Sequence, residues 1–479
     1  MRARLFSNLT SPGPAASSAT DGLPIPQRYW AMLTLMTGLA LSCLDTAIVN
    51  VALPAIARDL KASPANSIWV INAYQLAVMI SLLPFASFGD IFGYRRVYRY
   101  GLVIYTGAAL ISATAHSLEM LTLGRALQGL GAAGVMSVNT ALVRFTYPRH
   151  QLGRGIALIS LTVSTSSAAG PTVAAAILSV APWPYLFAVN VPVGIVTLLL
   201  AARLLPYTAP SGHRFDLISA VLCALMFGSL ILGISSLGHG ATAFVVIPEF
   251  VATIVTGFFL VRRQTSQEMP MLPVDLFCRP IFALSVTTSV LSFIAQGIAY
   301  VSLPFYFQNV IGVSAVTTGL LMTPWPATAA LMAPLAGRLA DRFPAGILAA
   351  LGLTMFGTGF LLLAFLPSSP STLDIVWRIG VCGSGMGLFQ QPNSRSIIMS
   401  APLERSGSAG AIQGTARLLG QSIGAAFVAL VFGFVGGSQG ARTAILCAVG
   451  FAAIGIVTSL SRMLDGVRVT RPQALDPAE

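Results

Sequence analysis

The chain has 479 residues, 55% of them hydrophobic and only 9% charged, with a formal net charge of +12; its mean hydropathy is +0.80. Soluble domains carry about 25% charged residues, so a water-soluble fold of this composition would expose apolar surface that it could not cover. The basic residues are scattered rather than gathered on one domain, which argues against a nucleic-acid partner and for a lipid bilayer.

Residues 1–29 are polar, rich in Ser, Pro and Ala, and lack the apolar core of a cleaved signal; they read as a disordered tail. A membrane-crossing helix needs about 20 apolar residues, and fourteen stretches qualify. Spans 1 to 6 lie near 30–53, 66–88, 97–115, 119–145, 151–179 and 184–204. Spans 7 and 8 lie near 215–236 and 243–263. Spans 9 to 14 lie near 281–308, 314–336, 346–366, 370–400, 406–434 and 440–463, followed by a second tail at 464–479. The connections are short. The expected fold is an all-α membrane protein.

Lys and Arg set the orientation. With the N-terminus inside, the tails and the loops on that side hold 21 of the 27 basic residues; the opposite loops hold three, Arg58, Lys61 and Arg442. Both termini are therefore expected in the cytoplasm. The chain also repeats at a near-constant offset. Asp90 in SFGDIFGYRR answers to Asp341 in GRLADRF, Arg125 to Arg378, and Ser166 and Gly170 to Gly420 and Gly424. That pattern predicts two six-span bundles, 30–204 and 281–463, separated by an inserted hairpin at 215–263. Two such bundles enclose a cavity, and rocking one against the other exposes it to alternate sides.

Four local motifs then carry a resemblance. They are LDTAIVNVALP at 44–54, the stretch after span 2 with Asp90, Gly93, Arg95 and Arg96, GRALQGLGAAG from Gly124, and SSAAGPTVAA in span 5 with Gly170 and Pro171. Together with the 6+2+6 plan they resemble the major facilitator superfamily, specifically its fourteen-span drug:H+ antiporters. The first motif departs from the family pattern by one place at Thr46, Ala86 replaces a glycine in the second, and Ser166, Ala174 and Ala175 replace glycines in the fourth. The resemblance implies multi-pass residence in the inner membrane, multidrug efflux and antibiotic resistance. It also implies gating by the stretch after span 2, which in the family locks the two halves together when the cavity faces outward.

Asp45 lies deep in span 1, where a carboxylate costs roughly 2.5–3.5 kcal/mol and so needs a cavity or a partner. Counting down from the outer span ends places Asp45 roughly 12 Å deep and Arg125 roughly 9 Å deep at 1.5 Å per residue. The two can share one level. Burial disfavours a carboxylate and a nearby cation favours it, so a carboxyl pulled both ways suits a proton carrier; Asp45 is the expected proton site and Arg125 its tuner. Gly93 permits a sharp turn. Asp90, Gly93, Arg95 and Arg96, with Asp341 and Arg342 as a second copy, are the expected gate. Gly170 and Pro171 are expected to break span 5. Gly410, Gly414, Gly420 and Gly424 give span 13 a tight-packing face. Asp374 and Arg378 read as a structural i, i+4 pair, and Glu249 in the hairpin as structural or lipid-facing.

The candidate substrate cavity is lined by Asn72, Gln75, Gln128, Gln296, Tyr300, Gln390, Gln391, Asn393, Gln413 and Arg417. An apolar wall with a few amides and aromatics suits amphipathic organic molecules. Arg417 reads either as a contact for an anionic substrate group or as bonded to backbone carbonyls of a neighbour. No paired carboxylates, histidine cluster, nucleophile with a base or P-loop stands out; the five cysteines read as packing residues. No enzyme activity, metal or cofactor is therefore expected, the proton gradient being the energy source. The expected partners are protons, a small-molecule substrate and lipid, the chain acting as a monomer. An exporter of one endogenous metabolite, such as a pigment, siderophore or vitamin-like compound, and a non-transporting membrane sensor are the alternatives.

Overall fold

The computed structural model describes residues 22–148, 151–208, 215–238, 240–266, 274–367, 369–401 and 406–469. Of the predicted tails 1–29 and 464–479, residues 1–21 and 470–479 lie outside the described residues; residues 27–29 and 464–469 are helical, continuing the first and last helices, which shortens both tails. All regular structure among the described residues is helical: α1 (Gln27–Asp59), α2 (Pro64–Ser67), α3 (Trp69–Phe92), α4 (Tyr94–Ala113), α5 (Leu118–Thr146), α6 (Leu152–Val180), α7 (Pro184–Ala188), α8 (Asn190–Leu204), α9 (Leu217–Gly238), α10 (Ala243–Thr265), α11 (Pro280–Phe305), α12 (Ala315–Met322), α13 (Pro324–Leu339), α14 (Ala345–Ala364), α15 (Thr372–Ser400), α16 (Ser406–Val435) and α17 (Gly437–Val469). A π-helical turn, Tyr306–Ile311, extends α11.

Eleven helical segments of the described residues are long and apolar enough to cross a membrane. Three further rods are less apolar for identifiable reasons. α4 opens on Tyr94, Arg95 and Arg96; α12 and α13 carry Pro324, Pro326 and Pro334; α15 carries Asp374, Arg378, Gln390, Gln391, Asn393 and Arg395. Each lies against other helices, α4 along α5 and both α13 and α14 along α15, so the polar positions have protein neighbours.

Serine N-caps start four helices on the face opposite the chain termini. Ser63, Ser117, Ser314 and Ser371 accept from the backbone N–H three residues on, at 3.1–3.2 Å. On the terminal face the turn between α3 and α4 is made by Gly93 at φ +92°, the left-handed region that favours glycine.

Small residues set the helix spacing. A Cβ built on Gly131 would lie 2.3 Å from the Tyr105 nitrogen and 2.7 Å from the Gly101 oxygen, so α4 and α5 touch backbone to backbone. The same crossing recurs between α14 and α15, where a Cβ on Gly385 would lie 2.4 Å from the Phe356 nitrogen and 2.7 Å from the Gly352 oxygen. In α16, Gly420 and Gly424 pack this way against α11, whereas Gly410 and Gly414 face open space, which corrects the expectation of one continuous glycine face. The hairpin α9–α10 is tied at the terminal face by Arg263 and Asp216 at 2.9 Å, and α9 lies against both α3 and α16.

Helices preceding Leu204 meet those following Pro280 along α6 with α12 and α13, α3 with α16, and α1 with α11. Arg58 donates to Gln308 at 3.1 Å, Gln308 donates to the Val51 carbonyl at 2.9 Å, and Thr172 bonds Thr323 at 2.8 Å. These contacts close the molecule on the face opposite the termini.

Gly385→Leu forces a side chain into the α14 backbone and is expected to cost at least about 1–3 kcal/mol. The purified variant should unfold several degrees below the wild type in a detergent melt. Gly450→Ala, at a position with open space, should leave the melt unchanged.

Candidate functional site

Asp45 of α1 and Arg125 of α5 form an ion pair in which each side chain is 1% exposed. The pair is held from every side. Gln128 and Asn190 each donate an amide hydrogen to Asp45 Oδ1 at 3.0 Å. Arg125 also donates to Gln128 Oε1 at 2.9 Å and to the Val70 carbonyl at 3.1 Å. Its guanidinium lies 4.2 Å from the Tyr74 ring centroid and 5.7 Å from that of Phe187, within cation–π range. α5 and α8 thus supply the partners that the buried carboxylate requires, and the Val70 carbonyl with the Tyr74 and Phe187 rings holds its cation.

Tyr74 separates this pair from a central cavity. Its hydroxyl donates to the Ser42 carbonyl at 3.2 Å, and its ring lines a cavity of about 80 Å³ bounded by α1, α3, α5, α6, α11 and α16. Three wall residues, Asn50, Ser167 and Tyr300, each sit four positions before a proline (Pro54, Pro171, Pro304). Each proline removes the helical N–H that would reach that carbonyl. A second cavity of about 160 Å³ shares Ser167, Tyr300, Arg417 and Gln421 with the first and adds Gln296, Trp325, Gln390 and Gln391. Pockets for drug-sized ligands occupy about 300–1,000 Å³, so this conformation must open further to admit one.

The sequence profile described as Major Facilitator Superfamily matches residues 35–425. The chain belongs to the major facilitator superfamily. It is 52% identical over 95% of its length, and 98% of the relative's, to YebQ of Escherichia coli K12, named as an uncharacterized transporter. It is 28% identical to the riboflavin transporter RibZ of Clostridioides difficile, covering 85% of this chain and 88% of RibZ. It is 32% identical to the multidrug resistance protein Stp of Mycobacterium tuberculosis, covering 84% of this chain and 75% of Stp. The fold matches a bacterial homologue of the lysosomal transporter Spinster, crystallised inward-facing and unoccupied, with TM-score 0.68 at 16% identity over 95% of this chain and all of that one. The protein is thus a multi-pass membrane transporter of the secondary, facilitator type.

In this facilitator the predicted residues divide. Gln75, Gln296, Tyr300, Gln390, Gln391 and Arg417 line the two cavities. Gln75 also accepts from Ser422 across the two groups of helices at 3.2 Å. Gln128 is not free for substrate, being committed to Asp45. Asn393 is corrected similarly: it is 1% exposed, donates to Ser289 Oγ at 2.7 Å and accepts from Arg462 at 2.8 Å, a buried packing cluster. Asn72 is buried outside these cavities, and Gln413 donates to Ser394. Arg417 has no hydrogen-bond or ion-pair partner among the described residues, so the expectation that neighbouring carbonyls hold it is not met.

Gly170 lies against α1, where its Cβ would fall 2.3 Å from that of Ala47. The next residue faces α12, since a Cβ on Gly319 would lie 2.5 Å from the Pro171 oxygen. The predicted break is absent: α6 runs unbroken from Leu152 to Val180, and proline costs it only the bond to Ser167. Asp90 sits in the last turn of α3, not in a loop, and accepts from Tyr94. Burial and then the Asp90 carboxylate push the Tyr94 phenol up to about 12, so it remains a donor at neutral pH. Arg95 binds the Ala202 carbonyl, while Arg96 is exposed. Asp341 pairs with Arg395 at 2.5 Å, and Arg342 is exposed. Asp374 and Arg378 pair at 3.0 Å, and Glu249 accepts from Ser236 at 3.0 Å.

Two residues escaped the sequence reading. Asn190 opens α8 and reaches Asp45 from a helix 145 positions away. Arg462 counts toward the terminal-face charges yet is only 6% exposed. Neither sits in a local motif; a polar residue inside an apolar helix was the available signal.

Arg125→Leu leaves Asp45 buried without its cation and should cost about 3–5 kcal/mol, a clear drop in the detergent melt. Adding Asp45→Asn should restore part of that loss by removing the orphaned charge. An Arg125→Leu protein that melts with the wild type would show that the pair holds nothing together.

Proposed function

We propose that the protein is a proton-coupled transporter that exports amphipathic organic compounds by alternating access, with Asp45 as the proton site. One observation carries this reading: the Asp45–Arg125 pair is withdrawn from water, yet Tyr74, whose ring packs on the Arg125 guanidinium, also lines the central cavity. Protonating Asp45 weakens its attraction for Arg125 and frees the guanidinium that packs on Tyr74. A proton taken up there can therefore be felt at the cavity wall. α6 joins the same machinery to the opposite group of helices, with Gly170 on α1 and Pro171 beside α12.

On this reading the three less apolar rods also cross the membrane, giving fourteen spans divided six, two and six. Residues 30–204 and 281–463 form the rocking bundles, and 215–263 the inserted hairpin. The charge asymmetry favours cytoplasmic termini in the inner membrane, so the face closed by Arg58, Gln308 and Val51 is the outer one. The Asp90–Arg96 turn and the Asp341–Arg342 region form the gate, and the chain works as a monomer without a cofactor. Resemblance to Stp, a multidrug resistance protein, favours export of several compounds. Resemblance to the riboflavin transporter RibZ supports the alternative of a single vitamin-like metabolite; a broad compound panel separates the two.

In proteoliposomes enclosing a pH-sensitive dye, amphipathic compounds from a library should drive proton movement in the wild type. Asp45→Asn should abolish proton movement while leaving substrate–substrate exchange intact. Undiminished proton movement in Asp45→Asn would remove Asp45 from the mechanism.

A further inference from the structure

Most arginines held deep among these helices are engaged. Arg125 binds Asp45, Arg378 binds Asp374 and the Phe365 carbonyl, and Arg462 binds Asn393 and Ser285. Arg417 differs. It is half-buried, lines both central cavities, and has no hydrogen-bond or ion-pair partner among the described residues. No aspartate or glutamate lines either cavity. A half-buried cation with no protein partner is under-satisfied, and this one faces the space that a substrate would fill.

A second, independent feature points the same way. Trp325 is 1% exposed, and its indole N–H is a buried donor with no acceptor. Its ring is fixed against Tyr300, Phe356 and Phe360 at centroid distances of 5.0, 5.4 and 5.6 Å. Trp325 lines the same cavity as Arg417. Buried polar groups are normally satisfied, so an unpaired donor and an unpaired cation on the walls of one cavity describe a site for an acceptor that carries negative charge.

We infer that the substrate is an amphipathic organic anion, whose carboxylate or like-charged group is received by Arg417 with Trp325 as a further donor. This rests on the transport reading above and narrows it. The Tyr300 ring, Phe293 and Met386 offer the flat apolar surface for the body of the molecule. In the adjoining cavity the unpartnered Asn50 Oδ1 accepts from a hydroxyl or amide on the same ligand. The Asp45–Arg125 pair contributes no net charge while Asp45 is ionised, so Arg417 sets the sign of the cavity.

The test uses three probes that share one aromatic body: 1-naphthaleneacetate, 1-naphthaleneacetamide and 1-naphthylmethylammonium. Binding to the purified full chain in nanodiscs is read by equilibrium dialysis. The acetate should bind at least about tenfold more tightly than the amide, the scale of one charge-assisted hydrogen bond. Arg417→Gln should erase that preference, the acetate falling to the affinity of the amide, in a variant whose detergent melt matches the wild type and so is folded; Arg417→Lys should retain part of it. Wild type that prefers the ammonium, that shows no preference or no binding of the acetate, or an acetate preference that survives Arg417→Gln, overturns the inference. Proton movement driven by neutral or cationic compounds without any anion preference would overturn it and leave proton-coupled transport standing. An Arg417-dependent anion preference without proton movement would do the reverse.

Discussion

A carboxylate withdrawn from water in the middle of a membrane protein persists only where charge and hydrogen bonds meet it from several directions. Asp45 has both: Arg125 as its cation, and the amides of Gln128 and Asn190 on Oδ1. Arg125 is constrained in turn by the Val70 carbonyl and the Tyr74 ring. α1, α3, α5 and α8 must therefore keep their relative positions for either charge to remain buried. Removing a single member leaves the others with unmet electrostatic demands. The same low-dielectric setting that makes the pair costly makes it responsive, because one proton changes the net charge of the cluster.

Close helix approach supplies the rigidity that this arrangement needs. Gly101 with Gly131, and Gly352 with Gly385, bring neighbouring backbones into direct contact in two similar crossings. Gly170 and Gly319 place α6 tightly between α1 and α12. Elements packed this closely move as units rather than deforming continuously, so a change at Asp45 is carried by whole helices. The contacts of Gln308 with Arg58 and Val51 show which face is shut in the described conformation.

Much of this was legible from the sequence because membrane proteins repeat a simple constraint. Apolar runs of fixed length located the helices, and counting residues from their ends placed Asp45 and Arg125 at one level; the structure has them in contact. The cavity was less legible. Asn393 and Gln128 look like substrate-facing amides in sequence, yet both are consumed by buried charged partners, Arg462 and Asp45. Asn190 was missed because its partner is 145 positions distant and the one charge on its own helix, Arg203, lies in the last turn. Pro171 suggested a broken helix, but losing one donor is tolerable when neighbouring helices hold α6 in place. Arg417 was visible as a cation inside an apolar span, and only the three-dimensional arrangement shows it without a hydrogen-bond or ion-pair partner among the described residues.

The central claim is that Asp45 gains and loses a proton within its cage. Infrared difference spectroscopy of the purified protein across a pH titration reads that event directly, through the C=O stretch of a protonated carboxyl group. The account predicts a carboxyl band that appears as pH falls, is absent from Asp45→Asn, and titrates differently when Arg125 is replaced by Gln in a variant that remains folded. No band attributable to Asp45 across the pH range in which transport operates would contradict it.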